Sequence, residues 1–386
     1  MRIVLNTRRD DTGTRVCIDG LGERLREHGV EATVGDWDHY DGYDVAIFMG
    51  YDDDAARARA QNASIRVVLA DPKQSRPEWI RAAREADLLL VSSVEQRDAF
   101  YRLNRNVFVY YMFPRMHAVE RRHEQKDTLV IGYHGNRVHL EAMAHSVRPA
   151  LEELGRSRPV ELWALYNVEA RGRAVLGVPD EQLVRVRHIH WTPEREAGTQ
   201  VSPRFYDTLA QADIGIVPSE LPVRARRDAL EATAFPEPEF AYEPFDFLVR
   251  YKASTNPGRL YPFAQLGIPV VADFVPSAAQ FVVDGESGVL ASSPQGWLAA
   301  FETLAASAEL RERLASGLRN RLDAAYDAQV PALLSFLEQP REPARPVFAG
   351  NGSAEDDLAR LDVYARPRGP GGLRARLAGL RRRAGL

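Results

Sequence analysis

The chain has 386 residues, 27% of them charged and 45% hydrophobic, with a formal net charge of −4. That length suggests two domains with a core apiece, and the composition excludes a disordered chain, a collagen and a disulfide scaffold. Without a net basic charge the chain is not expected to bind nucleic acid, and Cys17, the single cysteine, leaves no intrachain disulfide and no cysteine-based metal cluster.

No run of about 18 apolar residues occurs, so no bilayer-spanning helix is expected. The opening MRIVLNTRR enters a strand-like stretch without an apolar leader, and a cytoplasmic location is expected. Residues 2–6 read as a strand, followed by a polar loop with Gly13 and a helix over about 16–28 that Gly29 stops. Further apolar runs at 45–49, 65–70, 88–91 and 107–112 alternate with helical stretches. They are rich in Val, Ile and Leu and barely alternate in polarity, as strands buried on both faces of a parallel sheet do. Residues 114–127 are polar and read as a linker, after which the pattern restarts.

Strands are expected at 128–133, 160–165, 184–189, 213–217 and 268–272. Helices are expected at 139–154, ended by Gly155, and at 203–211, 259–266 and 276–283; residues 295–326 are almost all helical. The fold class is therefore α/β, with two Rossmann-like domains facing each other across a cleft: residues 1–118 and 119–335, with a Pro/Gly/Arg-rich tail over 336–386. Residues 218–246 hold five prolines and many charges and read as an insertion. Residues 366–386 carry seven arginines, no acid, and Leu373, Leu377 and Leu380 at helical spacing. Two readings of that stretch stay open: peripheral contact with an anionic inner-membrane surface, or a solvated tail.

In open α/β sheets a ligand sits at the carboxyl ends of the strands. There the loop His134-Gly135-Asn136-Arg137 follows the first strand of the second domain, and its glycine allows close backbone approach to a phosphate or sugar. In the second candidate loop, Lys252 and Arg259 bracket Asn256-Pro257-Gly258, which opens a helix. Two cations around a glycine-containing helix start suit an anion such as a diphosphate. Asp52-Asp53-Asp54 follows a strand, but acids at a helix start are favoured as caps, and that reading is preferred to a metal site. His188 and His190 read as ordinary strand residues.

Several segments together resemble GT-B-fold glycosyltransferases, especially the group-1 (GT4-like) class. Arg259-Leu-Tyr-Pro-Phe-Ala-Gln-Leu-Gly-Ile-Pro-Val-Val is similar to its K-L-Y-E-Y-L-A-x-G-x-P-V-V signature. Phe205 to Ser219 resembles its Y-x-x-L-x-x-A-D-I-x-L-x-P-S segment, residues 281–290 its I-x-D-G-x-x-G-x-L turn, and residues 86–93 its A-D-x-V-x-x-S strand.

The resemblance implies an enzyme that moves a sugar from a nucleotide-sugar donor, held by the second domain, to a hydroxyl of a saccharide or lipid-linked acceptor, held by the first. It further implies retention of configuration, a role in cell-envelope polysaccharide or glycolipid synthesis, and neither cofactor nor metal. The implied catalytic groups are Lys252 and Arg259 on the donor diphosphate; His134, by its place in the cleft loop, is a further catalytic candidate. Donor-binding candidates are Gly135, Asn136, Arg137, Ser254, Asn256, Gly258 and Leu260. Acceptor-side candidates are Asp11, Gly13 and Asp71, at the carboxyl ends of first-domain strands. The family's paired glutamates align with Ser254 and Pro262, so both carboxylates are missing. A non-catalytic scaffold and a nucleotide-sugar epimerase stay open beside the transferase. A nicotinamide dehydrogenase is disfavoured, because no G-x-G-x-x-G follows either first strand.

Overall fold

Short aliphatic runs joined by helices bury both faces only when they pair in parallel and are covered on each side. The computed structural model describes residues 1–8, 14–49, 54–72, 77–101, 103–113, 119–167, 174–191, 203–219 and 256–340. They form two parallel six-stranded sheets. The first contains β1 (Arg2–Asn6), β2 (Glu31–Val34), β3 (Val45–Phe48), β4 (Arg66–Ala70), β5 (Leu88–Val91) and β6 (Val107–Val109), in the order β2-β1-β3-β4-β5-β6. Its helices are α1 (Gly20–Glu27), α2 (Asp54–Gln61), α3 (Pro77–Glu85) and α4 (Val94–Phe100).

The second contains β7 (Leu129–His134), β8 (Val160–Tyr166), β9 (Arg185–His190), β10 (Ile214–Val217), β11 (Val270–Asp273) and β12 (Val289–Ala291), in the order β12-β11-β10-β7-β8-β9. Around it lie α5 (Val147–Ser157), α6 (Pro203–Leu209), α7 (Leu260–Gln265), α8 (Pro276–Ala279), α9 (Pro294–Ala306) and α10 (Ala308–Glu338). Short 3-10 turns cover Arg137–Met143, Ala174–Gly177 and Pro257–Arg259. In this sheet the chain moves from β7 outward to β9, then returns to the other side of β7 with β10. The carboxyl ends of β7 and β10 thus form the point where the strand order reverses, which is where such sheets bind ligands.

Two glycines bring a helix unusually close to that point. A Cβ on Gly215 of β10 would lie 2.5 Å from Phe263 Cδ1, and one on Gly132 of β7 would lie 2.7 Å from Ala212 Cβ. Without side chains there, the fully buried Phe263 of α7 rests directly on the sheet. Burying a Phe stabilises by about 1.5–3 kcal/mol, and here it also fixes where α7 and the turn before it begin.

The structure departs from the sequence expectation at several places. The edge strands β2 and β12 were not anticipated. The helix expected over 139–154 is a 3-10 turn followed by α5, and Gly155 lies inside α5 instead of ending it. A Cβ on Gly155 would sit 2.3 Å from the Leu183 carbonyl oxygen, so the glycine serves close approach. Helix α10 continues to Glu338, through Pro331. Its first half packs on the second sheet through Leu318 and Leu322, while Val330, Leu333 and Leu337 enter the core of the first. A boundary at 335 therefore gives Val330 and Leu333 to the wrong sheet. Of the 218–246 insertion, Pro218 and Ser219 are described; the rest, and the arginine-rich 366–386, lie outside the described residues. Among the described residues, no helix is long and apolar enough to cross a membrane.

Candidate functional site

At the carboxyl end of β7, His134 ends the strand and Gly135 turns away with φ +146°. A Cβ on Gly135 would approach the Tyr133 hydroxyl at 3.0 Å and the Arg259 Cδ at 3.7 Å. Glycine is required here by both the backbone and the crowding, and it keeps the surface beside Arg259 free of side chain. The Tyr133 hydroxyl donates to the Asn136 carbonyl at 2.9 Å, and burial raises its pKa to about 12 while Arg259 opposes the rise.

Arg259 closes the 3-10 turn that leads into α7. Its Nη2 donates to Ser219 Oγ at 3.3 Å. The Ser219 amide in turn donates to Asp273 Oδ2 at 2.5 Å, and Asp273 Oδ1 accepts from Trp297 Nε1 at 3.3 Å. Asp273 is fully buried at the end of β11. Among the described residues, Arg259 Nη1 is buried and has no hydrogen-bond partner. A guanidinium N–H without an acceptor costs about 1–3 kcal/mol or more, a cost that an anion would remove.

His134 is placed differently from a catalytic group. It is buried, with its ring edge-on to Phe263 at 4.9 Å and to Phe205 at 5.6 Å. Its Nε2 lies 2.8 Å from the Arg259 carbonyl oxygen. Burial lowers its pKa to about 4, with the Arg259 charge acting in the same direction. The side chain expected to be catalytic faces the Arg259 main chain, enclosed by two phenyl rings. His139, on the following turn, is likewise lowered by burial and then by Arg259.

Two donor-binding expectations also change. Asn256 uses its whole amide elsewhere: Oδ1 accepts from the Gly258 N–H at 3.1 Å and Nδ2 donates to the Met112 carbonyl at 3.1 Å. It caps the turn and ties it to the first half of the chain. The same bond occupies the Gly258 N–H. Leu260 is fully buried in the second sheet's core, and its N–H returns to carbonyls of the turn. Asn136 makes no capping bond with its side chain, and Arg137 lies over the Tyr166 ring at 5.1 Å.

The remaining candidates divide between the first sheet and residues outside the description. Asp71 follows β4 with φ +48°, a left-handed conformation that Asp tolerates at a cost of about 1 kcal/mol or more. Asp54 pairs with Arg8 at 3.0 Å at the start of α2, in keeping with the structural reading of that acid. Lys252, Ser254, Asp11 and Gly13 lie outside the described residues. Ser219, Asp273 and Trp297 are not among the site residues expected from the sequence. The signal for Asp273 was an acid closing an otherwise apolar strand.

No family model matches the sequence, and no curated protein matches it. The architecture is more telling. Two parallel six-stranded sheets, each flanked by helices and joined by a returning C-terminal helix, make this a GT-B fold, the α/β architecture of a large class of glycosyltransferases. Solved structures that share it include sucrose-phosphate synthase from Thermosynechococcus elongatus, with a TM-score of 0.54 at 11% identity over 87% of this chain and 97% of that one. Anabaena HepE, solved in complex with UDP, has a TM-score of 0.51 at 14% identity over 87% of this chain and 100% of its own. TarM has a TM-score of 0.51 at 12% identity over 76% of this chain, which spans 55% of TarM.

Proposed function

We propose that the chain is a glycosyltransferase that binds a nucleotide-sugar donor beside Gly135 and Arg259. The observation that carries this reading is the buried, unpartnered Nη1 of Arg259 at the strand-order reversal of the second sheet. A diphosphate supplies the missing acceptor. As the bond from the sugar C1 to the diphosphate oxygen breaks, charge grows on the leaving phosphate, and a guanidinium already in place stabilises it. Lys252 is the second cation of this reading. The acceptor hydroxyl comes from the side of the first sheet, where Asp71, Asp11 and Gly13 are the candidates; its oxygen forms the new bond to C1 as its proton passes to the leaving diphosphate oxygen. Retention at C1 and a cell-envelope saccharide or glycolipid acceptor belong to the same proposal, from the motif resemblance, and membrane contact through 366–386 from the arginines and leucines of that stretch. HepE was solved with UDP, which makes a UDP-linked sugar the first donor to try.

The test is a thermal-shift panel of UDP, GDP, ADP, dTDP and CDP with the full chain. A ligand at about 100 times its Kd stabilises by roughly 2.7 kcal/mol, an observable rise in Tm. One diphosphate is expected to raise Tm, with Arg259→Ala weakening its binding at least tenfold, since a charge-assisted hydrogen bond is worth about 1.5 kcal/mol or more. No response to any diphosphate, or equal binding by Arg259→Ala, overturns the proposal. The first outcome favours the non-catalytic scaffold, a reading supported by the absent carboxylates at Ser254 and Pro262.

A further inference from the structure

His134 is a buried imidazole for which the transfer reaction has no evident use. Its surroundings are specific. The Nε2 atom meets the Arg259 carbonyl oxygen at 2.8 Å, and a carbonyl oxygen only accepts, so Nε2 must carry the proton. Phe263 from α7 and Phe205 from α6 hold the ring on its sides. Those rings sit where they do because Gly215 leaves Phe263 room against the sheet. Resting on the reading of Arg259 as the donor's cation, we propose that His134 is a positioning residue: a neutral Nε2–H tautomer that pins the Arg259 main chain and thereby sets the guanidinium between Ser219 and the donor phosphates.

The geometry gives this bond leverage. The carbonyl it holds belongs to Arg259 itself, at the last residue of the turn, and Nη2 reaches Ser219 Oγ at 3.3 Å, near the long end of a hydrogen bond. A small shift of the turn breaks that contact. Displacements of about 1 Å in a positioned group cost up to about 100-fold in rate. The groups around the ring also favour the neutral form. Among the described residues, the charged group facing it is Arg259, across the turn; α6 and α7 present phenyl rings; and on the His134 side, burial holds the Tyr133 pKa up and the His139 pKa down, both towards the neutral form. A protonated ring would place a second cation against Arg259.

The test combines a tautomer measurement with two substitutions. In protein labelled with 15N-histidine, the His134 resonances, assigned by their loss in His134→Gln, are expected to show a protonated Nε2 and no titration above about pH 5. A His134 that titrates between about pH 6 and 7, or protonated at Nδ1 alone, overturns the proposal whether or not any diphosphate binds. His134→Phe keeps the aromatic packing and removes the donor; it is expected to weaken binding of the diphosphate found in the panel by about 10-fold or more. His134→Gln, whose amide N–H can replace the bond, is expected to recover most of that loss. In the transfer assay, kcat/KM against pH keeps the wild-type shape in His134→Gln. A pH limb lost in both variants, with no rescue by Gln, assigns His134 to proton transfer and overturns the proposal. If no diphosphate binds the wild type, the donor reading falls while the tautomer measurement still decides the role of His134.

Discussion

Arg259 shows how a single side chain is specified by contacts distant in sequence. Its carbonyl is held by His134, its Nη2 by Ser219, and its Nη1 is left over. A lysine at this position supplies charge but not the second N–H in the same plane, so Arg259→Lys is expected to weaken diphosphate binding about tenfold in the same titration. Gly215 acts at one remove. Gly215→Ala forces a methyl group against the Phe263 ring, and overpacking of this kind costs about 1–3 kcal/mol, read as a lower midpoint in urea unfolding. Histidine protonation gives a third expectation. His123 donates from Nε2 to the Gly267 carbonyl at 2.8 Å, and burial, the largest influence, lowers its pKa to about 4, as it does for His134. Both groups bind a proton more readily when unfolded. Their contribution to stability is complete above about pH 6.5, falls as the pH drops towards 4, and changes no further below that. Each adds a slope of about 1 kcal/mol per pH unit within that window. Tm measured from pH 7 to 4.5 should fall, and His134→Gln should make the fall shallower; an identical slope refutes the burial argument. At this scale the sequence was half legible. Arg259 and Gly135 stood out by type and position. The depth of His134 did not, because Phe205 and Phe263, which enclose it, lie far along the chain.

Three helix starts carry serine caps, and one asparagine cap at a 3-10 turn does more. Ser93, Ser293 and Ser307 each accept the N–H three residues on, at 3.2, 3.1 and 3.0 Å. Replacing such a cap with alanine costs about 1 kcal/mol, and Ser307→Ala is expected to do so in urea unfolding while leaving diphosphate binding unchanged. Asn256 caps the 3-10 turn with its oxygen and reaches the Met112 carbonyl with its nitrogen. Asp keeps the capping oxygen but turns a carboxylate towards a carbonyl, whereas Ser keeps the oxygen and leaves that place to water. Asn256→Asp is therefore expected to destabilise more than Asn256→Ser, although the two rank about equally as helix caps. Most strands were legible because uninterrupted Val, Ile and Leu runs have one stable use. The exceptions have physical reasons. β2 carries Glu31 and Thr33 on an edge, β12 has three residues, and Gly155 looked like a helix stop because a close approach to Leu183 leaves no trace in local sequence. Pro331 similarly reads as a terminator, although α10 continues past it for two turns.

The two sheets are joined by more than the linker. Gln280 of the second half receives the Tyr111 hydroxyl proton at 2.6 Å and donates to Glu95 at 3.2 Å, so α8 is bonded to α4. Gln329 on α10 accepts the Tyr111 N–H at 3.0 Å, and Arg24 lies 3.9 Å over the Tyr326 ring. Phe336 packs on Phe108 with ring centroids 5.2 Å apart. Leu333, fully buried in the first sheet's core, belongs by sequence to a helix that begins on the other sheet. Leu333→Ala is expected to cost about 2–5 kcal/mol and to lower the stability of the first sheet, read by hydrogen exchange of β1 and β3 amides more than of β7 and β10. Equal effects on both sheets would show that they unfold as one unit. This crossing also decides where the protein can be cut and recombined. A chimera joined in the 114–127 linker would set Val330, Leu333 and Leu337 of one parent against the first sheet of the other, a sheet they did not evolve to cover. Swapping the first-sheet half between relatives therefore needs two seams, one in the linker and one within α10 between Leu322 and Gln329, so that the last stretch of helix is inherited with the sheet it covers.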